Sequence, residues 1–275
     1  MLRIKEPAQR LLKQFGVYHR LQASLLYRAY WTIADESILR DSAREVLFYR
    51  QLLEGFKKGD SIFDIGANNG YKTDIFLRLG ARVVAVDPDE ANGEILRNKF
   101  LRYRLSPKEV SIVTEAVSDR IATQTMRIDE PGSAKNSFSK KWVDSLRVDG
   151  NRFGNKLSFS HSKDVTTTTI ERLCQGYGRP FFIKIDVEGH ELSVLRGLKQ
   201  PVPYLSFEVN LPEFRAEGLQ CVDLLRSVAA HGRFNLASDC RDGLLLPEWL
   251  GRDDFCQVLE RSEYGSVEVF WRTVG

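Results

Sequence analysis

The stretch Asp64-Ile-Gly-Ala-Asn-Asn-Gly70 holds a carboxylate, two glycines and two asparagines within seven residues. Asn68 belongs to the few residue types besides glycine that tolerate left-handed backbone. The stretch follows a short apolar run, Ser61–Ile65, and precedes a helical pattern. A tight turn at that place lets backbone approach a small ligand beyond the carboxyl end of a parallel strand. Its spacing is neither that of a nicotinamide-dinucleotide fingerprint nor that of a P-loop, which argues against a pyrophosphate cradle. Asp64 would repel phosphate and attract an ammonium or sulfonium group. Asp87 follows 23 residues later, after a second apolar run, where an acid can accept both hydroxyls of a ribose. Glu115 and Ala116 follow a third run, in a position to meet an adenine edge. Singly, each acid could be no more than a helix cap. Three acids closing three successive strands, beside a glycine turn, point together to a nucleoside-bearing ligand.

A second constellation is Lys184-Ile-Asp-Val-Glu-Gly-His190. Two-residue alternation puts Lys184 and Asp186 on one strand face, either as a structural ion pair or as working groups. Glu188 and His190 fall in the turn above. An imidazole titrating near neutrality suits a general base, and a solvent-exposed first-turn residue is the alternative. Val194 stands where a zinc-protease motif needs its second histidine. Glu208 and Asn210 end a fifth strand on one face and, with Asp186, offer oxygens to Mg²⁺. Hard cations prefer ligand sets that these residues only partly supply, so no metal is assigned and Mg²⁺ stays a secondary option. Glu208 is expected instead to position a hydroxyl or act as the base. In the Ser-, Asn- and Lys-rich stretch 131–165, Asn136–Trp142 carries Phe138 and Trp142, which suit the apolar face of a sugar; a surface loop is the alternative reading. His161, in the same stretch, has no visible sequence partner.

The elements that must position these residues alternate. Strands are expected at 61–65, 82–86, 110–114, 181–186 and 204–209, with helices at about 70–79, 90–103, 191–196 and 219–230. The alternating run Val267–Trp271 is expected antiparallel or at an edge. This is an α/β, Rossmann-like, doubly wound and mostly parallel sheet over residues 58–275. Residues 1–57 read as a helical extension with helices at 8–31 and about 37–54. Basic residues on 8–31 also allow that helix to rest on a membrane surface.

The chain has 275 residues, 43% hydrophobic and 28% charged, as for an ordinary globular protein. A net charge of +3 is too weak to imply nucleic acid. No apolar run is long enough for a transmembrane helix, and no export signal is visible. The four cysteines form no C-x-x-C pair and read as reduced, core-filling thiols, which with the missing signal suggests the cytoplasm.

In Phe63-Asp-Ile-Gly-Ala-Asn-Asn-Gly-Tyr71, Ala116-Val-Ser-Asp119 and Ile183-Lys-Ile-Asp-Val-Glu-Gly-His-Glu-Leu192 the chain resembles the S-adenosylmethionine-dependent methyltransferases, and more narrowly the FkbM family. Family members typically carry an apolar residue where this chain has Asn69. The resemblance implies a class I methyltransferase fold and methyl transfer from S-adenosylmethionine to a hydroxyl oxygen of a sugar, glycan or natural product. Carried over by position, Asp64, Gly66, Asn68 and Gly70 would surround the methionine part and Asp87 would hold the ribose. Glu115 and Ala116, with Ser118 and Asp119, would border adenine. A neutral hydroxyl needs a base within hydrogen-bond reach and an in-line approach, and this demand falls on Lys184, Asp186, Glu188, His190 and Glu208. The competing readings are an RNA methyltransferase, suggested by the basic helix and a pI near 8.6, and an inactive binding protein on the same fold.

Overall fold

The computed structural model describes residues 36–101, 103, 109–148 and 159–274. The expected helix at 8–31 lies outside them. In chain order the elements are α1 (Glu36–Leu52), β1 (Ser61–Ile65), α2 (Tyr71–Arg78), β2 (Arg82–Val86), α3 (Glu90–Lys99), β3 (Val110–Val113), β4 (Ala116–Val117), β5 (Ala122–Ile128), α4 (Lys140–Val148), β6 (His161–Thr168), α5 (Ile170–Tyr177), β7 (Phe182–Ile185), α6 (Glu191–Arg196), β8 (Tyr204–Asn210), α7 (Arg215–Val228), β9 (Arg233–Ala237), α8 (Arg252–Arg261) and β10 (Ser266–Arg272). None of the described helices is long and apolar enough to cross a membrane.

Seven strands form one sheet in the order β3-β2-β1-β7-β8-β10-β9. From β3 to β8 all neighbours are parallel. β1 is apolar without alternation because both of its faces are covered. Ile62, Val83, Ala85 and Phe182 share one core with residues of α1, α2 and α3. Phe63, Ile65, Val84, Val86, Ile183 and Ile185 point to the other, with residues of α4 to α8. The chain runs outward from β1 to β3 and returns on the other side of β1 as β7. The crevice between the carboxyl ends of β1 and β7 is thus the topological switch point.

One expectation is met inside the sheet and another changes. The strand at 267–271 is antiparallel, but it lies inside the sheet between β8 and β9. Its alternation comes from Glu268 on an otherwise buried strand, not from an open edge. The stretch 131–165 is less irregular than its composition suggests. It contains α4 and the start of β6, which joins β4 and β5 in a separate three-stranded sheet.

A row of polar side chains crosses the sheet on the face that α1 covers. Asp64 is opposite Lys184, Lys184 is opposite Ser206, and Glu208 is opposite Glu268. The strands close against each other at Gly66, whose φ is +86° and where a Cβ would stand 1.7 Å from the Asp186 carbonyl oxygen. Left-handed backbone alone costs a non-glycine residue roughly 1–2 kcal/mol. Gly66→Ala should therefore lower the melting temperature by more than about 4 °C, because the overlap adds to the strain. Gly59→Ala, at φ +94° with nothing within 4 Å, should lose only the strain component. Equal losses in calorimetric melts would contradict the close approach at Gly66.

Candidate active site

The turn after β1 is tied to β2 by the N–H groups of Gly66 and Ala67, which donate to the Val86 carbonyl at 2.9 and 3.0 Å. Asn68 takes φ +47°, and its N–H donates to Asp87 Oδ2 at 2.8 Å. The other oxygen of Asp87 accepts from the N–H of Asp89 at 2.9 Å and from Asn92 Nδ2 at 3.2 Å. Burial raises the Asp87 carboxyl to about 6, even though these donors favour its ionised form. Asp89 caps α3 through Ala91 and also holds the 131–139 segment. Its Oδ2 accepts from the N–H of Gly132 at 2.7 Å and from Asn136 Nδ2 at 2.9 Å. The segment folds back over the end of the sheet, and a cleft forms beneath it.

Gly66, Asn68, Asp87, Glu115 and Ala116 all line this cleft, with Val117 and Met126 adding apolar wall. Asp64 and Gly70 do not line it. Asp64 is wholly buried under the turn, where Oδ2 accepts from Thr73 Oγ1 at 2.5 Å and Oδ1 has no hydrogen-bond partner. Burial raises its pKa, and Lys184 and Thr73 offset this only in part. A Cβ on Gly70 would strike Phe100 at 2.5 Å, so this glycine serves the packing of α2 on α3. Trp142 is also displaced from its expected sugar-facing role. It is 2% exposed and packs edge-on against Phe214. Phe138 and Asn136 face the cleft, and His161 is exposed at the start of β6.

The other end of the same cleft holds Asp186, Glu188 and His190. Glu188 has φ +53°, and the turn around it is pinned by Ser137 Oγ, which donates to the Glu188 carbonyl at 2.7 Å. Glu191 accepts from the N–H groups of Val187 and Gly189 at 3.1 and 3.2 Å. Lys184 Nζ donates to Asp186 Oδ2 at 2.8 Å. Burial alone would raise Asp186, but Lys184 outweighs it and holds the carboxyl below its ordinary value. Glu188 and Glu208 are pushed well above theirs by burial, then by the charge of Asp186. One carboxylate oxygen from each of Asp186, Glu188 and Glu208 lies within 4.8 Å of the others. These are the oxygens a hard cation would use. Glu188, not Asn210, completes the trio.

His190 departs from the expected neutral-pH base. Burial lowers it to about 4, against the pull of Asp119. Its Nε2 lies 3.1 Å from Ser118 Oγ, and its ring is tilted on Phe138 at 5.3 Å. Ser118 also accepts from Gln124 Nε2 at 3.2 Å.

Sequence reasoning missed a charged group beside the cluster. Lys72 is ion-paired with Glu45 and stands 3.9 Å from Glu268. Glu268 accepts from Ser206 Oγ at 2.6 Å and from Cys240 Sγ at 3.1 Å. Burial would raise Glu268, but Lys72 and Lys184 hold it low. Cys240 is therefore more than core filler. The available signal was an acid in the middle of the apolar strand Val267–Trp271.

The strand order, the glycine turn at the switch point and the acid after β2 define a class I methyltransferase. The family model described as "Methyltransferase FkbM domain" matches residues 64–232, and the chain belongs to the FkbM methyltransferase family. In fold it is similar to the crystal structure of methyltransferase FkbM from Methylobacillus flagellatus, with a TM-score of 0.51 and 16% identity. That superposition covers 82% of this chain and 47% of the other, so the chain spans under half of that relative's length. A TehB-like SAM-dependent methyltransferase from Corynebacterium glutamicum superposes with a TM-score of 0.43 and 10% identity, covering 83% of this chain and 86% of that one. No curated protein sequence matches the chain.

The environment of His190 has a measurable consequence. Its folded pKa lies below the ordinary 6.5, so between about 4 and 6.5 the unfolded chain binds more protons than the folded one. The stability that neutral His190 contributes is complete above 6.5 and is lost as pH falls toward 4. Denaturant melts should show the wild type losing stability more steeply in that window than His190→Gln, and the ring NMR signals should titrate near 4. A ring titrating at 6 or above would overturn this placement.

Proposed function

We propose that the chain transfers a methyl group from S-adenosylmethionine to a hydroxyl oxygen of a sugar, glycan or natural product. The observation that carries this reading is a single cleft running from Asp87 at one end to the Asp186–Glu188 pair at the other. The residues fit such a donor. Asp87 keeps a buried carboxylate beside the cleft for the ribose hydroxyls, and the Gly66–Asn68 backbone lies along the wall. Ala116, Val117 and Met126 supply an apolar surface for a base, and Ser133–Phe138 shields it from water. When bound, the donor supplies an electrophilic methyl on a positive sulfur.

The protein's own task is to align an acceptor hydroxyl and take its proton. Glu188 is assigned as the base. Its burial and acidic neighbours raise its pKa toward the range where a carboxylate accepts a proton effectively at neutral pH. Asp186 is engaged by Lys184, and His190 is too acidic to serve. No divalent cation is assigned in this reading; the cation at the cluster is the Lys184 ammonium, which pairs with Asp186.

Ribose hydroxyls donate to ionised Asp87, so binding the donor expels the proton that the free site holds below about 6. Calorimetry with S-adenosylmethionine should show affinity falling about tenfold from pH 7 to pH 5 through this one group. Asp87→Asn should bind more weakly and lose the pH dependence. A variant with wild-type affinity would remove Asp87 from the site.

Glu188→Gln should lower kcat by about 10²–10⁴ while donor affinity stays close to wild type. His190→Gln should leave kcat within a few-fold of wild type. The reverse ranking would transfer the proton-accepting role to the imidazole.

A further inference from the structure

A second, strongly polar cleft opens on the far side of Asp186. Lys184, Asp186 and Glu208 line it together with Tyr71 and Lys72 of α2. Glu45 of α1, the 237–241 turn after β9, and Ser266 and Glu268 of β10 complete it. We infer that this cleft is the acceptor site, that α1 and the β9–β10 segments determine which acceptor enters, and that the acceptor is an uncharged, hydroxyl-rich molecule. The inference rests on the methyltransferase reading above and adds to it the place and chemical class of the second substrate.

Three observations carry it. First, Asp186 lines both clefts, so a hydroxyl entering from the second meets the end of the first at this carboxylate. Second, every residue lining the donor cleft lies within the 64–232 family match, whereas Glu45, Ala237, Ser238, Asp239, Cys240, Arg241, Ser266 and Glu268 lie outside it. The half built by the family segment takes what all members share, and the half built outside it is free to take what differs.

Third, every cation that lines the second cleft is already paired. Lys72 is held by Glu45 and faces Glu268. Lys184 is held by Asp186 at 2.8 Å. Arg241 is held by Asp239 and, at 2.7 Å, by Asp41. Each lining cation thus has a carboxylate partner, and five lining carboxylates stand against three lining cations. A phosphate or carboxylate on the acceptor would break an existing pair and meet surplus negative charge. A cation would meet the ammonium groups of Lys72 and Lys184, both of which act on Asp186. A neutral polyol can donate to the carboxylates and accept from the cations without displacing either. Tyr71, 40% exposed in the cleft wall, is an aromatic side chain on which the apolar side of such a ring can pack.

The test uses the full chain saturated with S-adenosylhomocysteine. Four probes are followed by saturation-transfer NMR and by transfer of labelled methyl from S-adenosylmethionine: methyl glucoside, glucuronic acid, glucose 6-phosphate and glucosamine. The neutral glycoside should bind and be methylated in preference to the three charged probes. Tyr71→Ala should weaken its binding about tenfold, Tyr71→Phe should retain it, and Arg241→Ala should weaken it by freeing Asp239 and Asp41. Affinity for S-adenosylhomocysteine should be the same in all variants, which shows that they are folded and that the donor cleft is separate. Preference for a charged probe, failure of every probe, or full binding of the glycoside by both alanine variants overturns the inference while leaving donor binding in place. Failure of the wild type to bind S-adenosylhomocysteine would instead bring down the methyltransferase reading itself.

Discussion

A buried ammonium group at the centre of the sheet constrains everything around it. Lys184 is 3% exposed on a strand covered on both faces, and a charge in that position is tolerated only with partners of opposite sign. Asp64 stands opposite it in register on β1, and Asp186 accepts from it two residues further along. Glu268 contributes its charge from β10. Two of these partners, Asp64 and Glu268, come from strands distant in sequence, and the ammonium can be buried only when β1, β7 and β10 are assembled. The pairing also divides the local carboxylates. Asp186 keeps its charge, and Glu188 and Glu208, crowded beside it, are driven toward the protonated state. Acids that interact this closely titrate as a group, which is how carboxyl groups come to work near neutral pH.

The same row accounts for the part played by α1. This helix covers the polar face of the sheet, so it must bring polarity as well as bulk. Phe48 and Leu52 pack into the core, while Glu45 pairs with Lys72 and Tyr49 donates to Glu268 at 3.5 Å. The helix precedes the family segment and still shares the charge balance of the cluster. The 131–139 segment does the corresponding work at the other end of the cleft. Asp89, Ser137 and the Glu188 carbonyl hold it down, and Phe138 closes against His190. The imidazole is removed from water by this contact, which is why it loses basicity and becomes a hydrogen-bonding spacer to Ser118.

Local signals made most of the architecture legible. Runs such as Ser61–Ile65, Arg82–Val86 and Phe182–Ile185 have no alternation because both faces are buried, and that pattern is visible without a structure. The turn at 64–70 was legible because backbone geometry restricts which residues can occupy it, and φ +86° at Gly66 and +74° at Gly70 show that restriction. The small sheet was not legible. β5 and β6 are joined across more than thirty residues, and their mixed composition reads as loop until their ladder forms.

For the site, the sequence by itself determined the chemical types and their order: a glycine turn, an acid at the end of each of three strands, and the Lys184–His190 cluster. It also placed Lys184 beside Asp186, because two-residue alternation is a local rule. Only the tertiary structure decided which of these groups face the cleft. Asp64 went under the turn and Trp142 into the core, while Glu45, Lys72 and Glu268 converged from three separate elements on one charge centre. Tertiary structure likewise set the proton affinities, separating Glu188 from Asp186 and lowering that of His190. Burial and the field of neighbouring charges are properties of surroundings assembled from distant segments, and no local pattern of residues encodes them.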